Sequence, residues 1–181
     1  LSEIETTDLS ILCGLNGRVT YSVFCHHLRK GLRNGAELFV VDTRRTAAAQ
    51  WIEKWLGLHV GTDIALDNAV AREILAAGLE NREFAENATS GFEEFRKHVQ
   101  TFNLEYAANI CGVPAGLIRE LAHAYARAGR ARICWTMGIT EHHIAVDNVL
   151  ALINLVLLTG HVGRYGSGLN PLRVQNNVLR G

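Results

Sequence analysis

The feature that most restricts the fold is a pair of short apolar runs, DLSILCG (Asp8 to Gly14) and ELFVVD (Glu37 to Asp42), on either side of a stretch with helical spacing. Neither run alternates polar with apolar residues, so both faces of each must be covered, as in a buried strand of a parallel sheet. A parallel pair needs a crossover, and Ser22 to Arg33 supplies one, with a stop at Asn34-Gly35 of the kind that ends helices. The three segments predict a βαβ unit.

Further along, WLGLHVGTDIAL predicts a short strand and then a helix capped near Thr62 or Asp63, continuing through DIALDNAVAREILAAG. Helices are predicted over Asn81 to Asn87, Phe92 to Gln100 and Pro114 to Arg127, the last with proline in its first turn. RICWTMG (Arg132 to Gly138) reads as another buried strand, and Ile144 to Thr159 as a helix apolar nearly all round. The expected fold class is α/β, a doubly wound, mostly parallel sheet with flanking helices (Rossmann-like) and a helical insertion, forming a single domain over 1–181. The polar closing stretch GLNPLRVQNNVLRG (Gly168 to Gly181) shows no hydrophobic period and is expected to be a loop, with Leu169 to Gly181 poorly ordered or differently folded in the isolated chain.

Composition narrows the function classes. A chain of 181 residues, 48% apolar and 20% charged, is ordinary for a globular domain. Lys plus Arg balance Asp plus Glu at 18 each, so no global charge draws it to nucleic acid or an anionic membrane. Cys13, Cys25, Cys111 and Cys134 are widely spaced and form neither a zinc pattern nor a disulfide framework, consistent with buried, reduced thiols in an intracellular protein. Leu1 to Asp8 is polar and acidic, unlike a secretory leader, and the apolar stretch Val149 to Leu158 is too short to span a bilayer. No membrane insertion and a cytoplasmic location are expected.

In an open parallel sheet, ligands bind beyond the carboxyl ends of the strands. The segments that follow the predicted strands are Gly14-Leu15-Asn16-Gly17, Asp42-Thr43-Arg44, Gly61-Thr62-Asp63 and Gly138-Ile139-Thr140-Glu141. Glycines permit close backbone approach, carboxylates accept from ribose hydroxyls or a purine edge, and arginine pairs with phosphate. Together they point to a nucleotide-containing ligand, although each alone has a plainer reading: Asp42, for example, serves equally well as a turn residue. His26-His27 and His142-His143 lack a third ligand at a useful interval and read as ordinary histidines. GRYGSG (Gly163 to Gly168) follows a helix instead of a strand and resembles a phosphate loop only superficially.

These residues resemble a known family. MGITEHHIAVDNVLALINLVLLTGHVGRYGSGLNPLRVQNN (Met137 to Asn177) is similar to the segment of molybdenum- or tungsten-dependent formate dehydrogenase catalytic subunits that reads roughly MGxTQ, an apolar helix, then LTGNxGxxGxGxNPxRGQNNVQG. The likeness extends to GFEEFRKHV, GTDIAL, NGAELFVVDTRRT and DLSILCGLN, and so covers essentially the whole chain. Assimilatory nitrate reductases, the next relatives considered, carry a GQPNAMGG-like loop where this chain has Gln175-Asn176-Asn177.

The resemblance implies one domain of a longer catalytic subunit, binding one of two molybdopterin guanine dinucleotides that carry molybdenum or tungsten. It places Gly14 and Asn16 near that cofactor, Asp42, Arg44, Gly61 and Asp63 at its guanosine end, and Met137 and Glu141 toward the pterin. Arg173 falls on the family arginine that holds the formate carboxylate, with Gln175 on the same loop. The implied reaction takes formate to carbon dioxide and passes two electrons onward, with iron-sulfur subunits as possible partners.

Departures from the pattern accompany the match. The metal-ligating cysteine or selenocysteine, its neighbouring histidine and the 4Fe-4S cysteines of the family would lie upstream of Leu1, so this chain alone is not expected to turn over formate. Glu141 replaces glutamine, Val174 replaces the glycine after Arg173, Val60 replaces a common proline, and NGRVTYS (Asn16 to Ser22) departs from N-P-x-x-x-H-P. Two alternatives therefore stand beside formate oxidation: a nitrate reductase-like oxidoreductase, and a non-catalytic homologue or structural module of an electron-transfer complex.

Overall fold

The computed structural model describes residues 2–52 and 54–173. Its sheet has five strands, β1 (Leu9–Cys13), β2 (Glu37–Val41), β3 (Trp55–Leu56), β4 (Ala131–Trp135) and β5 (Gly168–Pro171), in the order β3-β2-β1-β4-β5. Every pairing is parallel, with Leu9 opposite both Glu37 and Ala131. The helices are α1 (Gly17–Thr20), α2 (Ser22–Arg33), α3 (Asp63–Ala76), α4 (Arg82–Ala88), α5 (Phe92–Val99), α6 (Leu104–Cys111), α7 (Ala115–Arg127), α8 (Met137–Thr140) and α9 (Ala145–Thr159).

All five residues of β1 and of β4 are buried, because helices cover both faces of the sheet. Along β1, Leu9, Ile11 and Cys13 enter one core with α3, α6, α7 and α9, while Leu12 joins a second core with Phe24, Cys25 and Leu28 of α2. That alternation is the two-residue period of a strand between two helical layers. Each Leu, Ile or Val so buried contributes about 1.5–3 kcal/mol. Asn81 and Asn103 start α4 and α6 by accepting from the backbone N–H of Phe84 (3.1 Å) and Tyr106 (2.8 Å).

The βαβ unit, the helical insertion between β3 and β4, and the apolar helix α9 agree with the sequence reading. Three differences are informative. The segment Leu104–Cys111, unassigned by pattern, is helical, because the turn capped by Asn103 turns Leu104, Ala107 and Cys111 into the larger core. The predicted strand RICWTMG stops at Trp135, and the residues from Met137 turn into α8.

The third is a correction at the closing stretch. Gly168–Pro171 is not a loop without a packing partner: it adds an edge strand, with Ile133 opposite Leu169. At the sheet edge it is four residues long and only half-buried, with Leu169 alone packing on the larger core, so no apolar run marks it. The expectations for Val174, for Gln175 and for the rest of the tail concern residues outside those described. No helix among the described residues is long and apolar enough to cross a membrane.

Candidate cofactor cleft

The chain winds outward from β1 in both directions, toward β2 on one side and β4 on the other, so the strand order reverses between β1 and β4. At their carboxyl ends these two strands run into turns that touch backbone to backbone. A Cβ on Gly14 would lie 2.8 Å from the Cα of Gly138, and one on Gly138 would lie 2.6 Å from the Cα of Gly14, so only glycine fits either place. Gly14 also has φ of 54°, a left-handed turn that takes the chain off β1 toward Asn16. The Thr136 hydroxyl donates to the Gly14 carbonyl at 2.6 Å and latches the two strand ends together.

A cleft of about 440 Å³ opens over this junction. Its walls hold Gly14, Asn16, Asp42, Arg44, Asp63, Met137 and Glu141, so seven of the residues singled out from sequence are brought together. Gly61 makes the turn before α3 and does not line the cleft; Arg173 is exposed just after β5, also outside the lining; Gln175 lies outside the described residues. Thr20, Tyr21, Thr136 and His142 line it without having been singled out. Thr136 had a usable signal, since it directly follows the predicted buried run, and His142 sits next to Glu141; for Thr20 and Tyr21 the signal was the departure of Asn16 to Ser22 from the family pattern.

The cleft is acidic and its acids are unpaired. One Asp42 oxygen accepts from the Arg44 backbone N–H at 2.8 Å, an Asp turn that orients Arg44, yet no cation side chain among the described residues forms an ion pair with Asp42, Asp63 or Glu141. Asp63 opens α3, and burial pushes its carboxyl above the usual range, partly opposed by its own backbone N–H and the nearby His142. One turn on, Asp67 is pushed up further by burial and then by the charge of Asp63. Cys13 at the end of β1 is raised well above an ordinary thiol by burial first and the Asp67 and Asp63 charges next, so it is a packed thiol and not a nucleophile. The Asn16 side-chain oxygen is buried with no hydrogen-bond partner. An acceptor left open in a cleft wall is where a ligand donor belongs.

A larger concavity, about 640 Å³, lies at the opposite end of the sheet against α7. Its charges are mostly spent on one another, as in the Lys54 pairs with Glu37 (2.7 Å) and Glu120 (3.1 Å), so size is a poor guide here. GRYGSG also belongs to that end: the Gly166 carbonyl accepts from Thr7 at 2.7 Å, far from the cleft. Among the described residues no group of three or more His, Cys, Asp or Glu side chains is placed to hold a metal ion.

A parallel sheet with a ligand-sized cleft across its switch point has the arrangement of the dinucleotide-binding α/β domains. The chain belongs to the molybdopterin oxidoreductase family, whose model matches residues 1–180. It is 38% identical over 178 residues to the F420-dependent formate dehydrogenase subunit alpha of Methanocaldococcus jannaschii, covering 98% of this chain and 26% of the relative. It is equally similar, 38% over 178 residues, to formate dehydrogenase H of Escherichia coli, covering 98% of this chain and 25% of the relative. Among solved structures it resembles the acetylene hydratase of Pelobacter acetylenicus, with a TM-score of 0.81 and 32% identity over 85% of this chain and 21% of that one. The chain thus spans about a quarter of the length of these relatives.

Proposed function

We propose that this chain is the cofactor-holding domain of a formate dehydrogenase-like molybdopterin oxidoreductase and binds one guanine dinucleotide arm of the metal-pterin cofactor. The observation that carries the reading is the switch-point cleft itself. Seven residues of the expected set converge there, around a buried Asn16 oxygen that has no partner within the protein.

The residues present fit such a group. Gly14 and Gly138 are glycine because the two strand ends touch, and both line the cleft, so a phosphate-bearing ligand would meet main chain there. Arg44 offers a planar fork to a phosphate or a base, and Asp42 keeps acceptor capacity for ribose hydroxyls or the guanine edge. Asn16 accepts one donor. Met137 and Glu141, which line the cleft, would meet the pterin side, with Glu141 offering an acceptor where the family pattern has an amide. When bound, the metal-pterin supplies the two-electron acceptor for formate oxidation, in which formate yields carbon dioxide, one proton and two electrons. Arg173, on the segment that leaves β5, supplies a bidentate grip for the formate carboxylate and a weak one for neutral carbon dioxide.

Likeness of fold does not choose the reaction, since one similar structure carries the name of a hydratase. Isothermal titration with molybdopterin guanine dinucleotide should show binding that Asp42→Asn weakens; no heat at high cofactor concentration would overturn the binding role. The full-length catalytic subunit that carries this domain should oxidise formate when loaded with its cofactor, whereas this chain alone should not. Nitrate reduction in its place would move the reading to the other substrate, and elemental analysis finding neither molybdenum nor tungsten would favour a non-catalytic homologue.

A further inference from the structure

We infer that Tyr21 is a positioning residue that sets the direction in which the chain leaves the sheet toward Arg173. The inference rests on the functional reading above for its catalytic meaning, but its geometry stands separately. Tyr21 joins α1 to α2 and lines the cofactor cleft. Its hydroxyl donates to the Leu172 carbonyl at 2.8 Å, a contact between residues 151 positions apart.

Leu172 is held at both ends. Its N–H donates to the Trp135 carbonyl at 2.8 Å, the last bond of the β4–β5 ladder, and its carbonyl accepts from Tyr21. The carbonyl of Leu172 and the N–H of Arg173 share one planar peptide unit, so fixing the first orients the second and with it the Cα of Arg173. Leu172 and Tyr21 also both pack against the smaller core, each partly buried. Arg173 itself is exposed, and among the described residues no contact of its side chain restrains it. The direction of its backbone is therefore set one residue earlier, by a phenol in the cleft wall. This phenol stands in the loop where the chain departs from the family pattern, NGRVTYS in place of N-P-x-x-x-H-P. A ligand in the cleft and the segment bearing Arg173 thus share one side chain.

Tyr21→Phe removes the hydroxyl and keeps the ring, so the fold should survive, as circular dichroism and melting would verify. Hydrogen-exchange mass spectrometry on the protein should show residues 168–173 exchanging about tenfold faster in the variant, the equivalent of one net hydrogen bond, with β1 and β2 unchanged. Unaltered exchange there overturns the inference. In the cofactor-loaded full-length catalytic subunit, Tyr21→Phe should raise the KM for formate several-fold at unchanged cofactor content. A raised KM that follows lost cofactor would instead make Tyr21 a cofactor-binding residue and also overturn the inference. Arg173→Ala separates the two readings. If it leaves formate oxidation intact while Tyr21→Phe still loosens 168–173, the substrate role of Arg173 falls and the positioning contact stands. If Arg173→Ala abolishes turnover while Tyr21→Phe changes neither exchange nor KM, Tyr21 positions nothing.

Discussion

The two ends of the sheet are built from the same kinds of residue and treat charge in opposite ways. At the amino end, Asp8 just before β1 takes three bonds from Arg130 just before β4, at 2.7, 2.8 and 3.2 Å, and Lys54 before β3 bridges Glu37 and Glu120. The side-chain bonds from Arg130 above all hold the Asp8 carboxyl below its usual range. At the carboxyl end, Asp42, Asp63 and Asp67 are all more deeply buried and none has a cation partner among the described residues; Asp63 and Asp67 are held above their usual range instead. An end that satisfies its own charges is structural. An end that leaves buried carboxylates and an amide oxygen open has been shaped for something other than its own stability.

The contrast can be broken most severely at the strand junction. Gly138→Ala places a Cβ 2.6 Å from the Gly14 backbone, which cannot yield without parting β1 from β4; a loss of about 3 kcal/mol in urea unfolding is expected, together with loss of the cleft. Next comes Asp67→Asn, which should stabilise the protein near neutral pH by about 1–3 kcal/mol. The Asp67 carboxyl is raised in the fold, from an unfolded value near 3.8. Its ionisation therefore costs nothing below that value and erodes stability progressively as pH climbs toward the raised one. The advantage of the variant should vanish near pH 3.5 and grow toward neutrality; a constant difference would mean that Asp67 is not the titrating group.

Arg44→Ala should weaken cofactor binding about tenfold, the loss of one charge-assisted hydrogen bond, while leaving the melting temperature almost unchanged. A large drop in melting temperature would make Arg44 structural instead. The smallest effect belongs to the other end. Asp8→Asn should lower the melting temperature by only ~1–3 °C, because the pair with Arg130 is exposed. Its pH dependence has the opposite sign to that of Asp67: the contribution of Asp8 is present above about pH 3.8 and disappears as pH falls through its lowered folded value.

Much of this was legible beforehand. The apolar runs at Leu9–Cys13, Glu37–Val41 and Ala131–Trp135 announced the strands because burial on both faces selects apolar residues at most positions, with Ser10 and Arg132 the buried polar exceptions. The rule that ligands lie beyond the carboxyl ends then picked out Asp42, Asp63 and Glu141 without any contact being known. What escaped detection depended on neighbours distant in sequence. β5 is a strand because β4 offers it an open edge, Tyr21 matters because Leu172 comes to meet it, and the acidity of Asp67 follows from the helices packed around α3.

The sequence by itself therefore determined the parallel α/β class, the first crossover, the helical insertion and the set of strand-end residues from which the cleft is drawn, since hydrophobic period and turn chemistry are local properties. Tertiary structure alone decided which of those residues share the cleft, which charges are spent on partners and which stay open, and where the segment bearing Arg173 leaves the sheet. Those outcomes depend on distance and burial between segments as far as 151 residues apart, and the electrostatic cost of a carboxylate is set by the dielectric around it and not by its place in the chain.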